Sequence, residues 1–227
     1  MANPKKTKGL RRNLKEKQRR EQIKGAAIHL FSNKGYQQST MEDLAVEAGV
    51  SKSLIYWYWE GKAALLSELI DTCMVSYVDL LSAAVQSKEP FIKKLQRFVW
   101  EFSDMFRKND RLNKLVHFCS VHTPKHRKEN FSDKVNTHYQ KVLKLIETLM
   151  EQAVEAGYLP KETDCPAIAL ALLSLTEGHI YMSILEDRPP LDRLIVSFLR
   201  LALSQERRLD VWEKKEPGGR SNERPAV

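Results

Sequence analysis

Residues Met41–Glu60 read MEDLAVEAGVSKSLIYWYWE. Two short helical patterns lie in this stretch with a Gly between them. Thr40 precedes the first as an N-cap, and Asp43, three residues on, takes the place of the usual capping-box Glu. Gly49 closes that helix, because a residue free to adopt positive φ can turn the chain there. Ser51 caps the second pattern, roughly Lys52–Tyr58. Ala45 is small where the two helices must cross closely. Leu44, Ala48, Val50 and Ile55 supply the apolar contacts that set the crossing angle. Small residue, turn Gly and β-branched residue together make the steric pattern of a helix-turn-helix. A generic helical hairpin would not require turn, crossing and capping signals to agree.

The flanking sequence is also helical. From about Lys17, Ile23, Ala26, Ala27, Leu30 and Phe31 form an i, i+3, i+4, i+7, i+8 stripe that stops at Gly35. After Gly61 no Gly or Pro occurs until Pro90, which predicts one helix over about 62–86 with Leu65, Leu66, Leu69, Ile70, Cys73, Met74, Tyr77, Leu80 and Leu81 inward. Further helical segments are expected near 91–107, 110–121, 130–156, 165–186 and 191–209, with breaks at Gly157–Pro160 and Arg188–Pro190. No convincing strand or internal repeat is present. The expected fold class is therefore all-α. A three-helix helix-turn-helix head (17–64) follows a basic flexible arm or frayed helix start (1–16). A larger helical domain for effector binding and dimerisation (65–212) and a disordered polar tail (213–227) complete the chain.

Charge is distributed unevenly. The chain of 227 residues carries a formal +8, and residues 1–24 alone hold ten basic side chains against two acidic ones. The rest is neutral, so a balanced body carries a basic N-terminal end suited to a polyanion. Cys73, Cys119 and Cys165 are odd in number and far apart, which fits a reducing cytoplasm rather than a disulfide framework. The N-terminus lacks the apolar run of a signal peptide. The most apolar segment, Pro166–Leu185, carries Glu177 and His179 near its middle and reads as a buried helix rather than a membrane span. No HExxH, GxSxG, GxGxxG or phosphate-binding loop occurs, nor a Glu-x-x-His pair, so the chain is not expected to be an enzyme.

Arg19–Leu69 resembles the DNA-binding domain of TetR-type transcriptional regulators. The resemblance rests on Phe31, Lys34-Gly35-Tyr36, Thr40, Leu44-Ala45, Ala48-Gly49-Val50-Ser51, Tyr56-Trp57-Tyr58-Trp59 and Lys62. It covers about a quarter of the chain; Thr176-Glu177-Gly178 echoes an Asp-Gly found in a dimer-forming helix of many members. Four positions depart from the family pattern: Ser53 for Gly, Leu54 for Thr or Ser, Tyr58 for His and Trp59 for Phe. They change which operator is read. The resemblance implies a homodimer on a palindromic double-stranded operator, with repression the usual mode and release by a small-molecule effector.

On the recognition helix, Ser51, Lys52, Ser53, Leu54, Tyr56 and Trp57 are expected to face DNA. Lys52 is the candidate base contact, Leu54 a candidate for a thymine methyl, and Thr40, Tyr56, Tyr58 and Lys62 the candidate phosphate contacts. Trp59 is expected in the core. An effector cavity would draw on Phe91, Phe98, Trp100, Phe102, Met105, Phe106, Phe118 and Tyr139, with His117, Cys119, His138, Glu177 and His179 as polar groups. A dimer face is expected along Ile168, Leu172, Leu175, His179, Met182 and Leu185, and along Leu194, Ile195, Phe198, Leu201 and Ala202, although plain intrachain core has the same spacing. His117, Cys119, His122 and His126 have metal-binding chemistry, but Pro124 breaks the helix between the last two, and a polar loop with no metal is the default. No cofactor and no membrane partner are expected. A nucleoid-type DNA-binding protein that senses nothing, or a helical small-molecule carrier, are the alternative readings.

Overall fold

The structure, a computed structural model, describes residues 4–122, 131–185 and 190–202. Among the described residues there are nine α-helices and no strand: α1 Pro4–Lys34, α2 Met41–Ala48, α3 Lys52–Tyr58, α4 Lys62–Gln86, α5 Phe91–Lys108, α6 Asp110–His122, α7 Phe131–Glu155, α8 Cys165–Leu185 and α9 Leu191–Ala202. The expected continuation of the last helix to 209 and the tail at 213–227 lie outside these residues.

One boundary differs from expectation. Helix α1 starts at Pro4, so residues 4–16 continue the helix instead of forming a separate arm. Pro is tolerated at the first helical position because its missing N–H would lack an intrahelical partner anyway. The Lys, Arg, Leu, Glu and Gln residues that follow are good helix formers.

The apolar side chains form two clusters. The first joins α1–α4 with one face of α6 and the start of α7; Ile23, Leu44, Ile55, Leu65 and Leu66 are completely buried in it. The second lies among α5, α7, α8 and α9 around Leu95, Val99, Leu149 and Leu199. Helix α4 contributes to both. Helix α6 packs on α1, α4, α7 and α8, and so touches the head and the body at once.

Candidate nucleic-acid interface and ligand cavity

The turn between α2 and α3 is set by backbone chemistry. Gly49 has φ 61° and ψ 39°, and its N–H donates to the Val46 carbonyl at 3.1 Å while the Val50 N–H donates to that of Ala45 at 3.0 Å. This is a Schellman closure, which satisfies carbonyls left open at the helix end. A Cβ at Gly49 would meet nothing within 4 Å, so the left-handed φ rather than space requires glycine. Thr40 and Asp43 form the reciprocal capping box: the Asp43 N–H donates to Thr40 Oγ1 at 3.1 Å and the Thr40 N–H to Asp43 Oδ2 at 2.9 Å. The Lys34 ammonium, with the backbone N–H and hydroxyl of Thr40, holds the Asp43 carboxyl down at about 2. Ser51 caps α3 by accepting the Leu54 N–H at 3.3 Å.

Helix α3 buries only Ile55. Ser51, Lys52, Ser53, Tyr56 and Trp57 face outward, Trp57 at 64% exposure, and Leu54 and Tyr58 are half-buried. A free polar and aromatic face of this length suits the major groove, where an α-helix fits. Lys52 is held by Glu42 of α2 and lies 5.7 Å from the centre of the Tyr56 ring. Glu42 must give up that ammonium before it can reach a base.

Two expected phosphate contacts are placed differently. The Lys62 ammonium donates to the carbonyls of Tyr36, Gln37 and Ser39 at 2.8, 3.1 and 2.8 Å, and sits 4.7 Å from the centre of the Tyr36 ring. It therefore ties the α1–α2 loop to α4, and its charge is spent inside the chain. Tyr58 points its hydroxyl toward the Glu16 carbonyl of α1, 3.5 Å away. Trp59 is buried as expected, and its indole N–H donates to Glu68 at 2.7 Å. The same carboxylate takes Arg20 in two contacts of 3.2 and 2.5 Å and lies 3.6 Å from the Lys24 ammonium. Glu68 thus anchors α1 and the end of the recognition helix to α4. Nothing in the sequence pattern marked it.

The body contains a cavity of about 90 Å³. Of the expected ligand residues, Phe98, Phe102, Phe106, His117, Tyr139 and Glu177 line it; Phe91, Trp100, Met105, Phe118, Cys119, His138 and His179 are not among its lining residues. The reason is helical phase. Phe118 projects to solvent at 48% exposure, Met105 packs on the second core cluster, and the His179 ring stands beside Phe106 at 6.1 Å. Periodicity places Tyr77 and Cys73 in the α4 core and carries no signal for Asn113. All three line the cavity: Asn113 Oδ1 accepts the Tyr77 hydroxyl at 2.5 Å and the Cys73 thiol at 3.3 Å. His117 Nδ1 and Glu177 Oε2 are 2.8 Å apart. His138 turns instead to Asp71, 3.2 Å away. The suggested metal set does not converge, since Cys119 is buried in the first core cluster and His117 pairs with Glu177; the side chains of His122 and His126 lie outside the described residues.

Helix α8 has an apolar inner face and an apolar outer face. Ile168, Leu172 and Leu175, expected at a dimer interface, pack against the second core cluster. The outward stripe is Leu170, Ser174, Gly178, Tyr181 and Met182, with Leu170 and Tyr181 each 55% exposed. On α9, Ile195 is buried and Leu194 and Phe198 are half-buried. The helix is long and apolar enough to cross a membrane, yet its inner face is committed to α6, α7 and α9.

A capped helix-turn-helix with an open recognition helix, mounted on a helical body that encloses an apolar cavity, defines a DNA-binding transcriptional regulator. Residues 23–69 match the model of bacterial regulatory proteins of the tetR family, and residues 124–198 match the tetracyclin repressor-like C-terminal domain. The chain belongs to the TetR family. It is 29% identical over 185 residues to the HTH-type transcriptional regulator TtgR of Pseudomonas putida, covering 75% of this chain and 83% of that one. It is 27% identical over 177 residues to the nucleoid occlusion factor SlmA of Pasteurella multocida, with 76% and 84% covered. Its fold is that of SmeT from Stenotrophomonas maltophilia, solved with triclosan: TM-score 0.69 at 17% identity, covering 83% of this chain and 93% of that one.

Proposed function

We propose that this protein is a cytoplasmic repressor that binds a palindromic operator as a homodimer and leaves it when a small apolar effector enters the body. The observation that carries this reading is the joint one of a recognition helix with a free face and a cavity roofed by the helices that hold it. Ser51, Lys52, Ser53, Leu54, Tyr56 and Trp57 would read base edges and flanking phosphates. Thr40 would offer its hydroxyl, and Lys62 only its backbone N–H at the start of α4, to the DNA backbone. One recognition helix reads only a few base pairs, so two-fold pairing is needed for specificity; half-sites about 34–36 Å apart are the expected spacing. The outward stripe of α8 supports pairing through that helix and α9, because the exposed Ser174 and Gly178 leave room for a second helix and Leu170, Tyr181 and Met182 offer it apolar surface to bury.

The cavity is narrow. An effector larger than a few heavy atoms must part α4 and α6, which also pack in the head, and this would change the half-site spacing. A coupling of about 1–3 kcal/mol is enough for such a switch. Selection of bound duplexes from a random pool tests the reading: a palindromic consensus, bound by a dimer and released by apolar compounds, is expected. Even binding across all sequences, with no compound releasing it, would support a nucleoid-type role, the reading that the likeness to SlmA favours.

A further inference from the structure

The described residues lining the cavity include five aromatic rings, Tyr77, Phe98, Phe102, Phe106 and Tyr139, together with one carboxylate, Glu177, and no Lys or Arg. We infer that the effector is an organic cation, an aromatic or alkyl body bearing a quaternary or protonated amine, whose charge is received by Glu177 and the surrounding ring faces. The inference rests on the reading of this cavity as the effector site and names the ligand class it takes.

Three observations support it. First, the rings are disposed as a wall rather than as isolated core residues: Phe98 stacks on Phe102 at 5.5 Å, and Tyr77 and Phe106 flank Phe102 at 5.4 and 6.0 Å. Ring faces attract cations, most strongly where water is excluded. Second, the negative field of Glu177 extends through the site. Burial pushes the phenols of Tyr77 and Tyr139 and the thiol of Cys73 up, and the Glu177 charge adds to the rise in all three. Third, the described lining residues offer no Lys or Arg to pair with an anion, and a carboxylate or phosphate ligand would be desolvated beside the Glu177 carboxylate. Two titratable side chains meet the carboxylate directly: His117, whose Nδ1 lies 2.8 Å from Glu177 Oε2, and the Tyr139 phenol.

The test compares three probes of related shape on the whole protein without DNA: benzyltrimethylammonium, its uncharged carbon isostere neopentylbenzene, and phenylacetate. Calorimetry is expected to show binding of the cation and weaker or absent binding of the anion. Glu177→Gln is expected to weaken the cation by at least ~10-fold and to change the isostere by less than ~2-fold. Preference for the anion, an unchanged cation affinity in the variant, or no binding of any probe overturns the inference. The wild-type comparison needs no variant, so a poorly folded Glu177→Gln protein leaves the test intact. Operator release is measured separately. Cation binding without release spares the cation site at Glu177 but defeats the reading of that site as the effector site, whereas release by the isostere or the anion alone spares the repressor reading and overturns the cation.

Discussion

Lys62 Nζ lies 2.8 Å from the backbone carbonyl oxygen of Tyr36, at the point where the α1–α2 loop meets the start of α4. A lysine at the edge of a DNA-reading head invites assignment to a phosphate. Here two more carbonyls complete its donors, and its work is to hold the head on its stalk. Lys62→Met is therefore expected to destabilise the protein by about 1.5–3 kcal/mol, the range for hydrogen bonds to a charged group. Urea unfolding measures that. The salt dependence of operator affinity should keep its slope; a slope shallower by about one unit would return Lys62 to the DNA.

Lys52 is the side chain whose loss should be read in sequence preference. Lys52→Ala is expected to cost about 1–3 kcal/mol in operator binding and to relax one position of each half-site. Glu42→Gln removes its competing partner and a negative charge beside the DNA face. That variant should bind more tightly than wild type, most clearly at low salt, in a fluorescence-anisotropy titration.

Asp43 gives the head a specific acid response. Its carboxyl is depressed from 3.8 to about 2 by Lys34 and then Thr40. A depressed folded-state value means that the stabilisation is complete above pH 3.8 and is lost as pH falls through about 2. Wild type should therefore exceed Asp43→Asn in stability near neutral pH. The two should converge as the carboxyl protonates, which acid titrations followed by circular dichroism will resolve.

The α8 stripe predicts the oligomer. Leu170→Glu with Met182→Glu places charge on side chains that already meet water in the single chain. The double variant should keep its helical circular dichroism and sediment as a monomer. Its affinity for a two-half-site operator should fall by roughly 100-fold or more, because each head then binds alone. A variant that still sediments as a dimer moves the interface elsewhere.

Much of this molecule was legible from local rules. The boundaries of α2 and α3 followed from Thr40, Gly49 and Ser51, because capping and left-handed turns are decided by residues adjacent in the chain. The long helix α4 was read to its ends for the same reason: a run free of Gly and Pro between Gly61 and Pro90 leaves little else for the chain to do. The start of α1 was misplaced by about three turns, since a charged segment with no apolar stripe carries no periodic signal even when its residues favour helix.

Pairing across helices followed different physics. Phe102 and Phe118 look alike as apolar aromatics, but one turns to the cavity and the other to water, because their helices meet the body at different rotations. On α8, periodicity picked out the stripe of Ile168, Leu172 and Leu175, which the neighbours α6, α7 and α9 cover, and missed the exposed Leu170 and Tyr181 on the other side. The sequence by itself determined a helix-turn-helix head, its caps, and an all-helical body. The tertiary structure alone decided that Lys62 and Glu68 brace the head, that Glu177 faces a ring-lined cavity, and that α6 joins α4 in touching both head and cavity. The first set depends on contacts within a few residues. The second depends on separations of 26 residues between Tyr36 and Lys62 and 60 between His117 and Glu177, distances along the chain over which no local pattern operates.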